Sequence, residues 1–188
     1  MLAIKDYDRG RAVEYARRWA RSRNPLFYNF TGIGGDCTSF VSQSILAGSC
    51  VMNYTPDFGW YYISADDRAP AFSGVEYFWD FFTGAPAFAE ANGGIGPFGR
   101  EVPREGVELG DAVQLGTAAG DYYHTLIVTD LRGGEIYVSA HSNDVYNRPL
   151  SAYDAPLNRF LHIEGVRFET NDDACFENLI NGEALPTV

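Results

Sequence analysis

Apolar residues recur at helical spacing near the start of this chain and change to two-residue alternation after Gly110. Ala12, Val13, Ala16, Trp19 and Ala20 mark an amphipathic helix from about Arg9 to Arg23, with Asp6 or Asp8 near its start and Asn24-Pro25 ending it. A second helix is expected from Cys37 to about Ala47, with Phe40, Val41 and Ile45 turned inward. Asp111–Leu115, Tyr122–Leu131, Glu135–His141 and Phe160–Phe168 read as strands. Helices first and strands afterwards predict an α+β fold, with the helices packed on one face of a mostly antiparallel sheet. The 188 residues suit one domain, 1–188, with a single core. Its last twenty or so residues form an acidic extension with one short helix around Cys175 to Ile180.

Aromatic residues make up 15% of the chain and crowd the stretch from Gly48 to Gly99, which is expected to hold one short helix. They predict either an aromatic core or a ring-lined groove, with Trp60 and Trp79 as substrate-groove candidates. The net charge of −11 argues against a nucleic-acid partner. Arg9, Arg11, Arg17, Arg18, Arg21 and Arg23 read as the solvated face of the first helix. No apolar run approaches membrane-spanning length. Lys5, Asp6 and Asp8 leave no room for a signal-peptide core, so the sequence as it stands reads as cytoplasmic, or as secreted or cell-wall-associated if a leader has been trimmed from it. With three cysteines, Cys37, Cys50 and Cys175, at least one stays unpaired within the chain; Cys50 and Cys175 could bridge, but two stray buried thiols are the simpler expectation.

Cys37 lies in Gly34-Gly35-Asp36-Cys37-Thr38-Ser39-Phe40-Val41-Ser42-Gln43, where a glycine turn delivers a thiol to a helix start. Unpaired amides there favour the thiolate, the nucleophilic form. His124 opens an apolar strand and is the expected general base. A two-residue turn at Gly133-Gly134 would set Arg132 opposite Glu135, Leu126 opposite His141 and His124 opposite Asn143. Opposed residues share a face with Cβ atoms roughly 5 Å apart, so Asn143 would orient His124. A bulge would shift that pairing and turn attention to His141 or Asp144. Asp36, whose charge would oppose a thiolate beside it, is expected to cap the helix or hold the glycine loop. No C-x-x-C or H-E-x-x-H pair is present, so neither metal nor cofactor is expected. The glycines lack the Lys-Ser or Lys-Thr of a phosphate loop.

These segments resemble the family described as the "putative amidase domain", within the papain-like group that includes NlpC/P60 and CHAP peptidases and amidases. The resemblance rests on the Cys37 segment, Gly110-Asp111-Ala112-Val113-Gln114, Tyr123-His124-Thr125-Leu126-Ile127-Val128, Ala140-His141-Ser142-Asn143-Asp144 and Asn147-Arg148-Pro149-Leu150, over roughly residues 9 to 166. It implies a papain-like fold, with Cys37 as nucleophile, His124 as base and Asn143 or His141 as third group. Thr31 stands where papain has its oxyanion glutamine, leaving the Cys37 amide as the main donor, with Tyr28 or Asn29 as further candidates. The expected reaction is amide hydrolysis through an acyl-thioester, with peptide or cell-wall-derived substrates. An acyltransferase with the same dyad, or a silent ligand-binding module of the same shape, is the alternative.

Overall fold

The computed structural model describes residues 1–184. In chain order its elements are β1 (Ala3–Lys5), α1 (Arg9–Trp19), α2 (Asp36–Ser49), α3 (Pro70–Ser73), α4 (Val75–Thr83), α5 (Ala89–Asn92), β2 (Gly96–Val102), β3 (Ala112–Gly116), β4 (Tyr122–Arg132), β5 (Glu135–Ala140), β6 (Val145–Pro149), β7 (Leu157–Phe168) and α6 (Cys175–Asn181). The fold is α+β. Neighbouring strands are antiparallel, in the order β1-β7-β3-β4-β5-β6, with β2 also paired to β7. The four expected strands are β3, β4, β5 and β7; β1, β2 and β6 are additional, being short or interrupted by Gly and Pro. The stretch from Gly48 to Gly99 holds three helices rather than one. Of the expected acidic extension, residues 185–188 lie outside the described part.

The sheet has a helix face and a far face. Ala112, Ile127, Leu161 and Ile163 pack on the helix side with Tyr15, Phe40 and Phe72. Val113, Leu115, Leu126, Val128, Val138 and Phe160 form a second core on the far side, closed by Val102, Val107 and Leu150. The aromatic excess is largely core: Trp60, Phe72, Phe78, Phe81 and Phe82 are fully buried. Trp60 packs against Phe72, Phe81 and Phe82.

α1 starts where the Asp8 carboxylate accepts from the Arg11 amide at 2.9 Å, and it buries Ala12, Tyr15, Ala16 and Trp19. α2 departs from the amphipathic expectation, since every residue from Asp36 to Ser49 is buried. Small polar side chains make this possible, because the buried ones find partners. Trp60 Nε1 donates to Ser42 Oγ, Tyr15 donates to Gln43 Oε1, and Gln43 donates to Ser39 Oγ. Gly48 is required by packing: a Cβ there would lie 2.5 Å from the Tyr7 ring.

Cys50, just past α2, is disulfide-bonded to Cys175 at the start of α6, with Cα atoms 5.5 Å apart. The two-stray-thiol expectation is therefore corrected. A crosslink closing a span of 125 residues removes a large loop from the unfolded ensemble.

The β4–β5 hairpin begins as expected, with Gly133 and Gly134 both at positive φ and Arg132 opposite Glu135. One residue later the expectation fails. Asp130 pairs with Tyr137 but Val128 pairs with Val138, so Thr129 is an extra residue in β4. Its hydroxyl bonds Ser139 Oγ at 2.8 Å and Asn147 Oδ1 at 2.7 Å, which anchors the bulge. Because side chains alternate, that single insertion changes which residues of β4 face the helices.

Candidate active site

Cys37 occupies the first turn of α2 and is 7% exposed. Gly35 precedes it at φ 96°, where an added Cβ would sit 3.0 Å from the Ser73 carbonyl oxygen, so glycine is needed to enter the helix here. The first helical hydrogen bond runs from Ser39 N to the Gly35 carbonyl, and the amides of residues 36–38 lie ahead of it. They form the positive end of a helix of 14 residues, a favourable setting for a thiolate or an oxyanion.

The contacts of His124 lie on the far face of the sheet. His124 stands opposite Leu115 on β3, and its ring lies 6.4 Å from that of Tyr153, both partners belonging to the far-face core. The next residue, Thr125, faces α2, its hydroxyl 2.9 Å from that of Thr38. Burial lowers the His124 pKa to about 4, so at neutral pH it is an uncharged ring against an apolar layer. The expected pairing of His124 with Asn143 is lost to the Thr129 bulge. Ser142 and Asn143, at φ 65° and 77°, form the exposed turn between β5 and β6, so Asn143 orients nothing on His124.

The bulge puts His141 on the helix side instead. Continuing the pairing of Ile127 with Ser139 brings Thr125 opposite His141. The His141 ring is 1% exposed and stacks on Phe40, four-residue neighbour of Asp36 on α2, with centroids 4.1 Å apart. Its Nε2 lies 2.9 Å from the Trp19 carbonyl oxygen and its Nδ1 lies 3.1 Å from Asp36 Oδ2. The second contact is close but poorly aligned, so it counts as ion-pair geometry more than as a directed hydrogen bond. The carbonyl can only accept, so Nε2 carries a proton, and Nδ1 beside Asp36 has no directed hydrogen bond.

Asp36 is the hub of this cluster. Its Oδ1 accepts from the Phe30 amide at 3.2 Å, which holds the glycine loop as expected, and its Oδ2 lies 3.0 Å from Arg23 Nη2. Burial would raise the Asp36 pKa, but His141, Arg23 and the Phe30 amide together outweigh it and hold the carboxyl below its usual value. Arg23 also makes a two-point contact with Asp144 at 2.9 and 3.0 Å. It is thus no solvated helix residue but a tie from the end of α1 to both the thiol's helix and the β5–β6 turn. Arg9 is likewise removed from the solvated set by its 2.7 Å contact with fully buried Asp111.

A second polar line leaves the thiol in the other direction. Cys37 Sγ is 3.8 Å from Thr38 Oγ1, Thr38 bonds Thr125, and Gln114 Nε2 donates to Thr125 Oγ1 at 3.1 Å. Gln114 also receives Arg159 Nε at 2.8 Å, and Arg159 pairs with Glu76. Sequence reading missed Asp36 as a partner of His141, and Thr38, Thr125, Gln114 and Arg23 altogether. The only signals were the acid directly before the cysteine and the Gln that closes the Gly110-to-Gln114 motif.

The other candidates resolve as follows. Trp60 is sealed in the core with its ring nitrogen on Ser42, and Trp79 is 8% exposed beneath the Arg159 guanidinium, 4.1 Å from the ring centroid. The Tyr28 amide donates to the Tyr62 hydroxyl at 2.8 Å and is not available to an oxyanion, although its ring is exposed. Asn29 accepts from the Thr31 amide and Arg23 Nε, bracing the loop ahead of Cys37. Among the described residues no group of three or more His, Cys, Asp or Glu could hold a metal, and no helix is long and apolar enough to cross a membrane.

The family model described as "Putative amidase domain" matches residues 6–163. Among curated proteins, "Uncharacterized protein YhbB" of Bacillus subtilis (strain 168) is 42% identical over 53 residues, which is 28% of this chain and 16% of that protein. No solved structure matches.

Proposed function

Since the chain belongs to this amidase-domain family, with which it aligns over most of its length, we propose that it hydrolyses amide bonds through a thioester on Cys37, with His141 as the imidazole partner. The observation that carries the assignment is the Asp36–His141 contact, made by the residue directly before the thiol, on the sheet face that α2 covers. In this scheme the neutral His141 ring donates from Nε2 to the Trp19 carbonyl, its Nδ1, which has no hydrogen-bond partner, takes the Cys37 proton, and the nearby Asp36 carboxylate offsets the charge that forms. The thiolate attacks the amide carbonyl, and the amides at the start of α2 hold the oxyanion. His141 returns its proton to the leaving amine, and water cleaves the thioester. Asp36, anchored by Arg23, positions the ring. A helix start set on an antiparallel sheet is also what a papain-like architecture requires.

Peptide or cell-wall-derived amides are the substrate class we assign. The Cys50–Cys175 disulfide supports a secreted or cell-wall-associated place of work, where such bonds persist.

Because that disulfide leaves Cys37 as the single free thiol, the test is the rate of its alkylation by iodoacetamide against pH, not selectivity among thiols. His141→Asn is expected to slow alkylation at pH 7 by about tenfold or more, as loss of a thiolate partner does. His124→Asn should change it less than about twofold, as expected for a group on the far face. Slow alkylation in all three proteins, with no release of amine from peptide amides, would support the silent binding module instead.

A further inference from the structure

At the opposite end of α2 from Cys37, about 20 Å away along thirteen residues of rise, the chain forms a groove of about 810 Å³. It lies within the aromatic segment, but not beside the thiol. Met52, Tyr54, Phe58 and Ile95 supply its apolar surface, and Tyr54 and Phe58 are 62% and 44% exposed. Its walls are fixed before any ligand arrives. Asn53 donates to the Ala91 and Ile95 carbonyls at 2.7 Å each and pairs with Trp60 in a β-bridge, so its amide is spent on structure.

The charge of the lining has one sign. Among the described residues, Glu90 and Glu169 are the only carboxylates lining it, both exposed, and no Lys, Arg or His lines the groove. Arg167, whose guanidinium donates to the neighbouring Asn92 carbonyl at 2.7 Å, is stacked on Phe98 and does not enter. Apolar walls with aromatic faces and a carboxylate rim match a ligand that carries an aliphatic body and a cationic head.

We propose that this groove binds small cationic amphiphiles. The site does not depend on the chemistry at Cys37, so alkylated and unmodified protein should bind alike.

The test is the methyl NMR resonance of Met52 during titration with octyltrimethylammonium, octanol and octanoate. The cation is expected to shift Met52 saturably and to bind at least about tenfold tighter than octanoate, a difference of about 1.4 kcal/mol. The Glu90→Gln/Glu169→Gln double variant should abolish that preference while leaving octanol unchanged, and Phe58→Ala should weaken all three probes. Equal binding of octanoate and the cation, or no saturable shift with any probe, would overturn the proposal. Loss of the preference on alkylating Cys37 would overturn the independence of the two sites.

Discussion

Thr125 and His124 are neighbours on one strand, yet they look onto two different environments. On the helix side, His141 opposite Thr125 meets a carboxylate, a carbonyl and the first turn of the cysteine helix. On the far side, His124 meets Leu115 and Tyr153, and burial pushes its pKa down to about 4. Identical side chains thus meet a polar cluster on one face and an apolar layer on the other, and the extra residue Thr129 sets the register between them. A third histidine sharpens the point. His162 also pairs with a buried aspartate, Asp111, at 2.8 Å, and Arg9 shares that carboxylate as Arg23 shares that of Asp36, but no thiol adjoins it. An Asp–His pair alone is a way to satisfy a buried acid; what distinguishes the Asp36 pair is the thiol of the next residue.

The strongest way to break this comparison is by activity. Cys37→Ala should abolish amide hydrolysis, His141→Asn should lower kcat/KM by about 10²–10⁴-fold, and His124→Asn should stay within about twofold, measured by amine release from a peptide amide. Next is Asp36→Asn, which leaves Arg23 facing His141 without the shared carboxylate. It should cost about 3–5 kcal/mol in denaturant unfolding, as breaking a buried ion pair does. Reducing Cys50–Cys175, or replacing both by Ser, should cost about 2–5 kcal/mol yet leave the Cys37 alkylation rate unchanged, because the bond closes the other end of α2.

The smallest effect is a pH signature of the two faces. His124 has its folded pKa below the ordinary 6.5, so the unfolded chain binds the proton first and stability falls as pH drops from about 6.5 towards 4, by up to about 3 kcal/mol. His124→Leu should flatten thermal unfolding curves across that window. Asp36, whose folded pKa is lowered, contributes stability that is present above pH 3.8 and is lost only below it as pH falls through the folded value.

Much of the frame was legible in the residues. Alternation gave β3, β4, β5 and most of β7, and Gly133-Gly134 gave the turn and its first pair. The thiol at a helix start was legible too, because glycine before a helix has a steric reason. Facing was not. A bulge depends on Thr129 finding Ser139 and Asn147, partners that only the folded hairpin brings together. The full burial of α2 was hidden for a similar reason, since Ser42 and Gln43 look solvent-facing until Trp60 and Tyr15 reach them. Arg23 looked like helix surface because its acids, Asp36 and Asp144, lie far along the chain.

The central claim, that the proton of Cys37 belongs to His141 and not to His124, is tested most directly by ¹⁵N NMR of the histidine rings at pH 7 before and after alkylation of Cys37. The account predicts that the His141 ring signals move on alkylation and that the signals of a neutral His124 stay in place. Movement of the His124 ring with an unchanged His141 would contradict it.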